Sequence, residues 1–253
     1  MKSDFLLSAL SVCTILVLWQ ITSSWFIDDT FLPSPLSTLA ATWELLLNGT
    51  LISSILISMR HILGGWILGS AVAIPVGLLV GSSRVTRAMV DPFIHCFRIV
   101  PALALVTLFI VWFGAGEVSK ILLIAYATGF IVIVTRASGV ASISTDKINA
   151  AKCLGATPVQ VFRRCVIPAS LPSIYVGMRL ALASSFLVSV AAEMLAADRG
   201  PGDIIWASRL YFPVDWMFSA IVVLGLLGFG TDRAWRLIGR TLLKRYLRCS
   251  TAY

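Results

Sequence analysis

Long apolar runs separated by short polar connections organise this chain. The first run, Phe5 to Ile27, has no charged residue over 23 positions, and a helix crosses a hydrocarbon core with about 20. Lys2 precedes it, as in a cleaved secretory signal. The run is longer than a signal's apolar region and further spans follow, so a retained span is expected. His61 to Ser83 forms a second run, free of Asp, Glu, Lys and Arg. Ile99 to Gly116 is the third, its helix expected to begin earlier, with Asp91 as N-cap and Pro92 at the first helical position. Ile121 to Thr135, about Leu171 to Ala197, and Trp216 to Thr231 complete the set. The pattern predicts an all-α integral membrane protein of about six transmembrane helices, or five if one segment is interfacial.

Two details refine this pattern. Gly65-xxx-Gly69 and Gly77-xxx-Gly81 put small residues on one face of the second helix, where another backbone can approach closely. Pro75 within it is tolerated where neighbours repair the lost hydrogen bond. After Leu32-Pro33-Ser34-Pro35, the residues Leu36, Leu39, Trp43, Leu46 and Leu47 recur at helical spacing, predicting an amphipathic helix on the membrane surface.

Composition agrees. Hydrophobic residues make up 58% and charged residues 13%, against about 25% charged in soluble domains. Mean hydropathy is +0.92. The net charge of +8 is not a nucleic-acid signature, because the basic residues lie between apolar runs rather than on a polar domain. With six spans, one side receives Lys2, Arg84, Arg87, Arg136, Lys147, Lys152, Arg163, Arg164 and the six basic residues from Arg233 to Arg248. The other receives Asp28, Asp29, Glu44, Glu117, Asp198, Asp203 and Asp215. Lys and Arg mark cytoplasmic loops, so both termini are expected in the cytoplasm. In the tail, Arg233, Arg236, Arg240 and Lys244 share one helix face, and Trp235, Ile238, Leu242 and Tyr246 the opposite one. That fits a topology anchor with no further role, favoured here, or an extension along anionic lipid headgroups. Cys13, Cys96, Cys153, Cys165 and Cys249 are scattered, with no CxxC pair, so neither a zinc site nor a disulfide framework is expected.

Residues 136–172 form the longest connection, and long loops tend to carry function. Asp146 to Leu154 is helical in pattern, and Gly155 supplies a turn. Thr157 can cap a second helix that starts at Pro158 and is expected to stop at Val166, before Pro168. Two short helices joined at a glycine make a projecting knob. Among ionisable residues within the spans, Glu193 is a candidate outer gate or, equally, a structural hydrogen-bonding partner of a loop backbone, and Arg179 a snorkelling cation. Asp91, His95 and Arg98 suit an interfacial cluster.

Asn149-Ala150-Ala151, then Gly155-Ala156, then Ile167-Pro168-Ala169-Ser170-Leu171-Pro172, resemble the coupling loop of ABC importer permeases. The usual leading Glu is Asn149 here. Leu32-Pro33-Ser34-Pro35, Arg98-Ile99-Val100-Pro101-Ala102-Leu103-Ala104, Trp112-Phe113-Gly114-Ala115-Gly116-Glu117 and Ala192-Glu193-Met194 are similar to segments of the nitrate/sulfonate/taurine branch. This resemblance implies a permease of the bacterial inner membrane, paired with a second permease subunit, expected as a homodimer. It also implies cytoplasmic ATPases docked on the loop and an extracytoplasmic solute-binding protein. Asn149, Ala150, Ala151, Gly155, Ala156, Ile167 and Pro168 are the implied coupling residues. Arg98, Pro101 and Glu193 are pathway or gate candidates. The chain has no GxxxxGK[ST] phosphate loop, so it is expected to be non-catalytic and to bind no cofactor, with ATP and Mg on the partner. A secondary transporter is the alternative, but it calls for more intramembrane carboxylates or internal repeats. A membrane enzyme is poorly supported by two histidines, His61 and His95, and no clustered ligands.

Overall fold

The structure, a computed structural model, describes residues 2–25, 28, 31–141, 143, 145–196, 199–210 and 214–242. All secondary structure among them is helical. In order these are α1 (Lys2–Trp25), α2 (Pro35–Leu47), α3 (Thr50–Ser82) and α4 (Arg84–Ile99), then a 3-10 turn (Ala102–Leu105) and α5 (Val106–Phe113). There follow α6 (Glu117–Ala141), α7 (Thr145–Cys153), α8 (Pro158–Val161), a π turn (Phe162–Val166), α9 (Ile167–Ala196), α10 (Pro201–Leu210) and α11 (Val214–Leu242).

Among the described residues, four helices are long and apolar enough to cross a membrane: Thr50–Ser82, Glu117–Val140, Pro158–Leu195 and Val214–Thr241. Val85–Ile99 with Ala102–Phe113 makes a fifth if that pair, bent by 82°, is one span. The expected first span is α1, whose described apolar part, Leu10–Trp25, is shorter than these.

The chain divides into two compact units, Met1–Ser58 with Ala197–Leu226, and Met59–Ala196 with Leu227–Tyr253. In the first unit, Leu45, Leu51, Ile204 and Ala220 form the core. The Ser34 hydroxyl caps α2 by accepting the Ser37 N–H, and the Ser219 hydroxyl donates to the Thr38 carbonyl at 2.9 Å. Leu36, Leu39, Trp43 and Leu47 of α2 are exposed, an outward apolar stripe of the kind that lies in a membrane interface.

The second unit is built on close helix approach. Gly65, Gly69, Ala73, Gly77 and Gly81 recur every fourth residue along α3, one ridge on a helix surface. Against the glycines lie Ile124, Thr128, Arg136 and Val140 of α6. A Cβ added at Gly65 would come within 2.6 Å of the Ile124 side chain, and one at Gly81 within 2.6 Å of Val140. The glycines thus remove the atoms that would hold the two helices apart, as the small-residue spacing predicts. Ile62, Trp66, Ala73, Val132, Ala181 and Leu182 fill the adjoining core. The Trp66 indole N–H donates to the Met178 carbonyl at 2.9 Å.

Local expectations fail at three places. Ser83, not Asp91, caps α4, accepting the Thr86 N–H, and Pro92 lies inside that helix. The run from Ile99 to Gly116 is not one helix. Val100 is extended (φ −66°, ψ 116°), because the residue before a proline is driven out of the α region, and Pro101 then starts a new turn. Conversely, the helix from Pro158 does not stop before Pro168. Within the π turn the Ile167 N–H donates to the Phe162 carbonyl, five residues back, a wider ring that carries the chain past a residue without an N–H. Trp235, on the apolar face of the expected tail, packs into the unit, whereas Ile238 of the same face is 44% exposed. Trp235 stacks on Tyr175 at 5.6 Å and meets Trp66 edge-on at 5.0 Å. The part of that tail beyond Leu242, with Lys244 and Tyr246, lies outside the described residues, as does Cys249.

Candidate functional site

The described residues form a knob between α7 and α8 and a recess at the bent helix pair. At the knob, the Gly155 N–H donates to the Lys152 carbonyl at 2.9 Å and the Ala156 N–H to the Ala151 carbonyl at 3.1 Å. These two bonds, 5→2 and 6→1, are a Schellman motif closing α7. Gly155 has φ +81° with no atom near its missing Cβ. Glycine therefore answers a backbone demand there, not a lack of space. Thr157 then opens α8 with a full capping box. Its hydroxyl accepts the Gln160 N–H, and the Gln160 side chain accepts the Thr157 N–H at 2.9 Å. The predicted cap and the proline at the first position are both present. Asn149 and Ala150 are exposed on α7, with Ala151 and Ala156 half-buried. Leu154 and Val159, 88% and 63% exposed, present bare apolar surface at the tip. Ile167 and Pro168, half-buried, follow the π turn.

The recess has a volume of about 750 Å³. Residues 97–103 line it from the bend, including Arg98 and Pro101; Tyr126, Phe130 and Val134 line it from α6, and Ser184 and Leu187 from α9. The Tyr126 hydroxyl donates to the Phe97 carbonyl at 2.8 Å, a second donor to an acceptor that also takes the Val100 N–H at 3.2 Å where α4 ends. Phe130 stacks with Phe97 at 6.3 Å and meets Tyr126 edge-on at 5.0 Å. The recess is thus an aromatic wall with one guanidinium at its edge. Asp91 and His95 do not join it. With Arg87 they line a smaller recess of about 190 Å³.

Glu193 belongs to neither place. It is fully buried, accepts the Ser189 hydroxyl at 3.0 Å, and lies 3.8 Å from Nδ1 of His61 on α3. Neither ring nitrogen of His61 has a hydrogen-bond partner among the described residues. Arg179 keeps its side chain 40% exposed. It grips Asp232 of α11 with two bonds of 2.6 and 3.1 Å, and Asp232 also accepts from Arg236. The sequence reading ended the last span at Thr231 and so missed Asp232. A fourfold spacing from Asp232 to Arg236 on a helix was the available signal. Tyr126 and His61 were missed because their partners are distant in sequence.

The family model for binding-protein-dependent transport system inner membrane components matches residues 73–244. A probable ABC transporter permease protein of Brucella melitensis is 40% identical over 83% of this chain and 86% of its own. A Bacillus subtilis permease named for aliphatic sulfonates transport is 34% identical, covering 91% of this chain and 84% of its own. The Escherichia coli taurine transport system permease protein is 33% identical, covering 92% and 88%. Among solved structures, an inward-facing MetNI methionine ABC transporter chain superposes with a TM-score of 0.70 at 20% identity, over 77% of this chain and 97% of its own. At that identity the likeness speaks for the fold. The chain belongs to the family of binding-protein-dependent transport system inner membrane components, as an ABC transporter permease of the nitrate, sulfonate and taurine branch.

Proposed function

We propose that this permease imports a small organic or inorganic anion such as a sulfonate, taurine or nitrate, driven by ATP hydrolysed on a separate subunit. The knob is the docking element. The observation that carries this reading is its construction: two exposed apolar residues, Leu154 and Val159, on a turn held by a Schellman motif and a capping box. Exposed apolar side chains on a preorganised tip lose little entropy when a partner covers them. Asn149, Ala150, Ala151, Gly155 and Ala156 shape that tip, and Ile167 and Pro168 lead from it into α9. The ATPase holds ATP and Mg; this chain contributes no catalytic group.

In this reading a solute-binding protein delivers substrate on the opposite side, and a second copy of the permease completes the pathway. Arg98 and Pro101 border the route at the recess, where a guanidinium suits an anion. Glu193 supports the outer end of α9 through its buried contacts. The knob and both termini face the cytoplasm of an inner-membrane protein, as the basic loops require. Replacing Leu154 with Glu tests the docking role. We expect the partner ATPase to be lost on co-purification while the chain still inserts into membranes. Normal recovery of the ATPase with that variant overturns the role.

A further inference from the structure

Arg136 is the largest side chain among the fully buried ones, 1% exposed, near the end of α6. An uncompensated cation in such a place is costly. Two features accommodate it. Gly77 of α3 opens a slot, since a Cβ there would stand 2.7 Å from the Arg136 Cβ and 2.8 Å from its Cγ. At the far end, Nη1 donates to the carbonyl of Ser170 at 3.3 Å. Ser170 lies between Pro168 and Pro172 in the first turns of α9. The Ser170 carbonyl also accepts the Ser173 hydroxyl at 2.8 Å, and Arg136 adds a charged donor from the neighbouring helix, in a stretch where two prolines weaken the helix's own ladder. The Nε atom has no hydrogen-bond partner among the described residues. For packing alone, an apolar side chain of similar volume would avoid that desolvation. What the arginine adds is a directional tie between α6 and the base of the knob.

We propose that Arg136 is a positioning residue for energy coupling. It clamps α9 at Ser170, on the far side of the π turn from the knob. Movement of the knob is then passed to α6, and through Gly77 to α3, instead of being lost in bending around Pro168 and Pro172. This rests on the docking reading of the knob.

The test uses the permease in complex with its ATPase, in lipid vesicles and on a background with the native cysteines replaced by serine. Leu103, exposed at the recess, is changed to Cys, and its maleimide labelling rate is measured with and without ATP and vanadate. We expect nucleotide to change the rate at least about 5-fold in the otherwise unmutated complex, the scale of a typical coupling free energy. In Arg136→Met the change is lost, while ATPase recovery and ATP hydrolysis stay close to normal. Arg136→Lys, which keeps one cationic donor, recovers part of it. Gly77→Ala, which displaces the arginine stem and leaves the charge in place, weakens it. A full response in Arg136→Met overturns the proposal. If that variant fails to insert, Gly77→Ala decides, and an undiminished response there overturns it equally. Failure of the ATPase to co-purify with the unmutated chain removes the docking reading, and this one with it.

Discussion

The knob and the recess are held by hydrogen bonds of different reach. At the knob, Gly155 and Ala156 are fixed by carbonyls three and five residues back, and Thr157 and Gln160 fix each other. At the recess, Tyr126 reaches the Phe97 carbonyl across 29 positions of sequence, and three helices share the walls. A locally determined element keeps its shape when its surroundings shift. A recess assembled between helices changes shape whenever they move. That contrast suits a part that is gripped and a part that opens and closes.

Substitutions can break the contrast from either side. The largest effect is expected from Gly69→Val. A Cβ there runs into the Ala125 carbonyl oxygen and the Thr128 hydroxyl, and overpacking of this kind costs about 1–3 kcal/mol. The melting temperature of the detergent-purified protein should fall and transport should fail. Protease protection of the knob should change little, and a knob cleaved as fast as the rest would show that it is not locally determined. Gly155→Val is expected to have the reverse pattern. A β-branched residue forced to φ +81° costs about 1–2 kcal/mol, confined to the knob. Hydrogen exchange should rise over residues 150–160 and ATPase binding should weaken, with the melting temperature nearly unchanged. A large drop in melting temperature would join the two regions energetically. The smallest effect is expected from Tyr126→Phe, which removes one hydrogen bond worth about 1 kcal/mol. Transport should fall a few-fold with the knob and ATPase binding untouched. Unaltered transport would deny the bend a part in the pathway.

The same difference of reach explains what the sequence disclosed. Thr157-Pro158 and Gly155 announce a cap and a left-handed turn within a handful of residues, and the Gly65-to-Gly81 spacing announces a close helix contact. Both are present. The bend was hidden because Ile99 to Gly116 is uniformly apolar, so periodicity carries no break; only Pro101, through Val100, marks it. The opposite error at Pro168 has a related cause. A proline is a local veto on an α-helical bond, but a π turn upstream lifts the veto, and nothing in Phe162 to Val166 advertises that register. The partners of Arg136, Arg179 and His61 lie on other helices, beyond the range of any window.

The continuous helix from Pro158 to Leu195 has a mechanical consequence. Its 38 residues make a rod about 57 Å long at 1.5 Å per residue. A tilt of about 5° about one end of such a rod sweeps the other through about 5 Å, close to one helical pitch. Small rotations imposed at the tip of this permease are thus amplified by leverage across the full thickness of a bilayer.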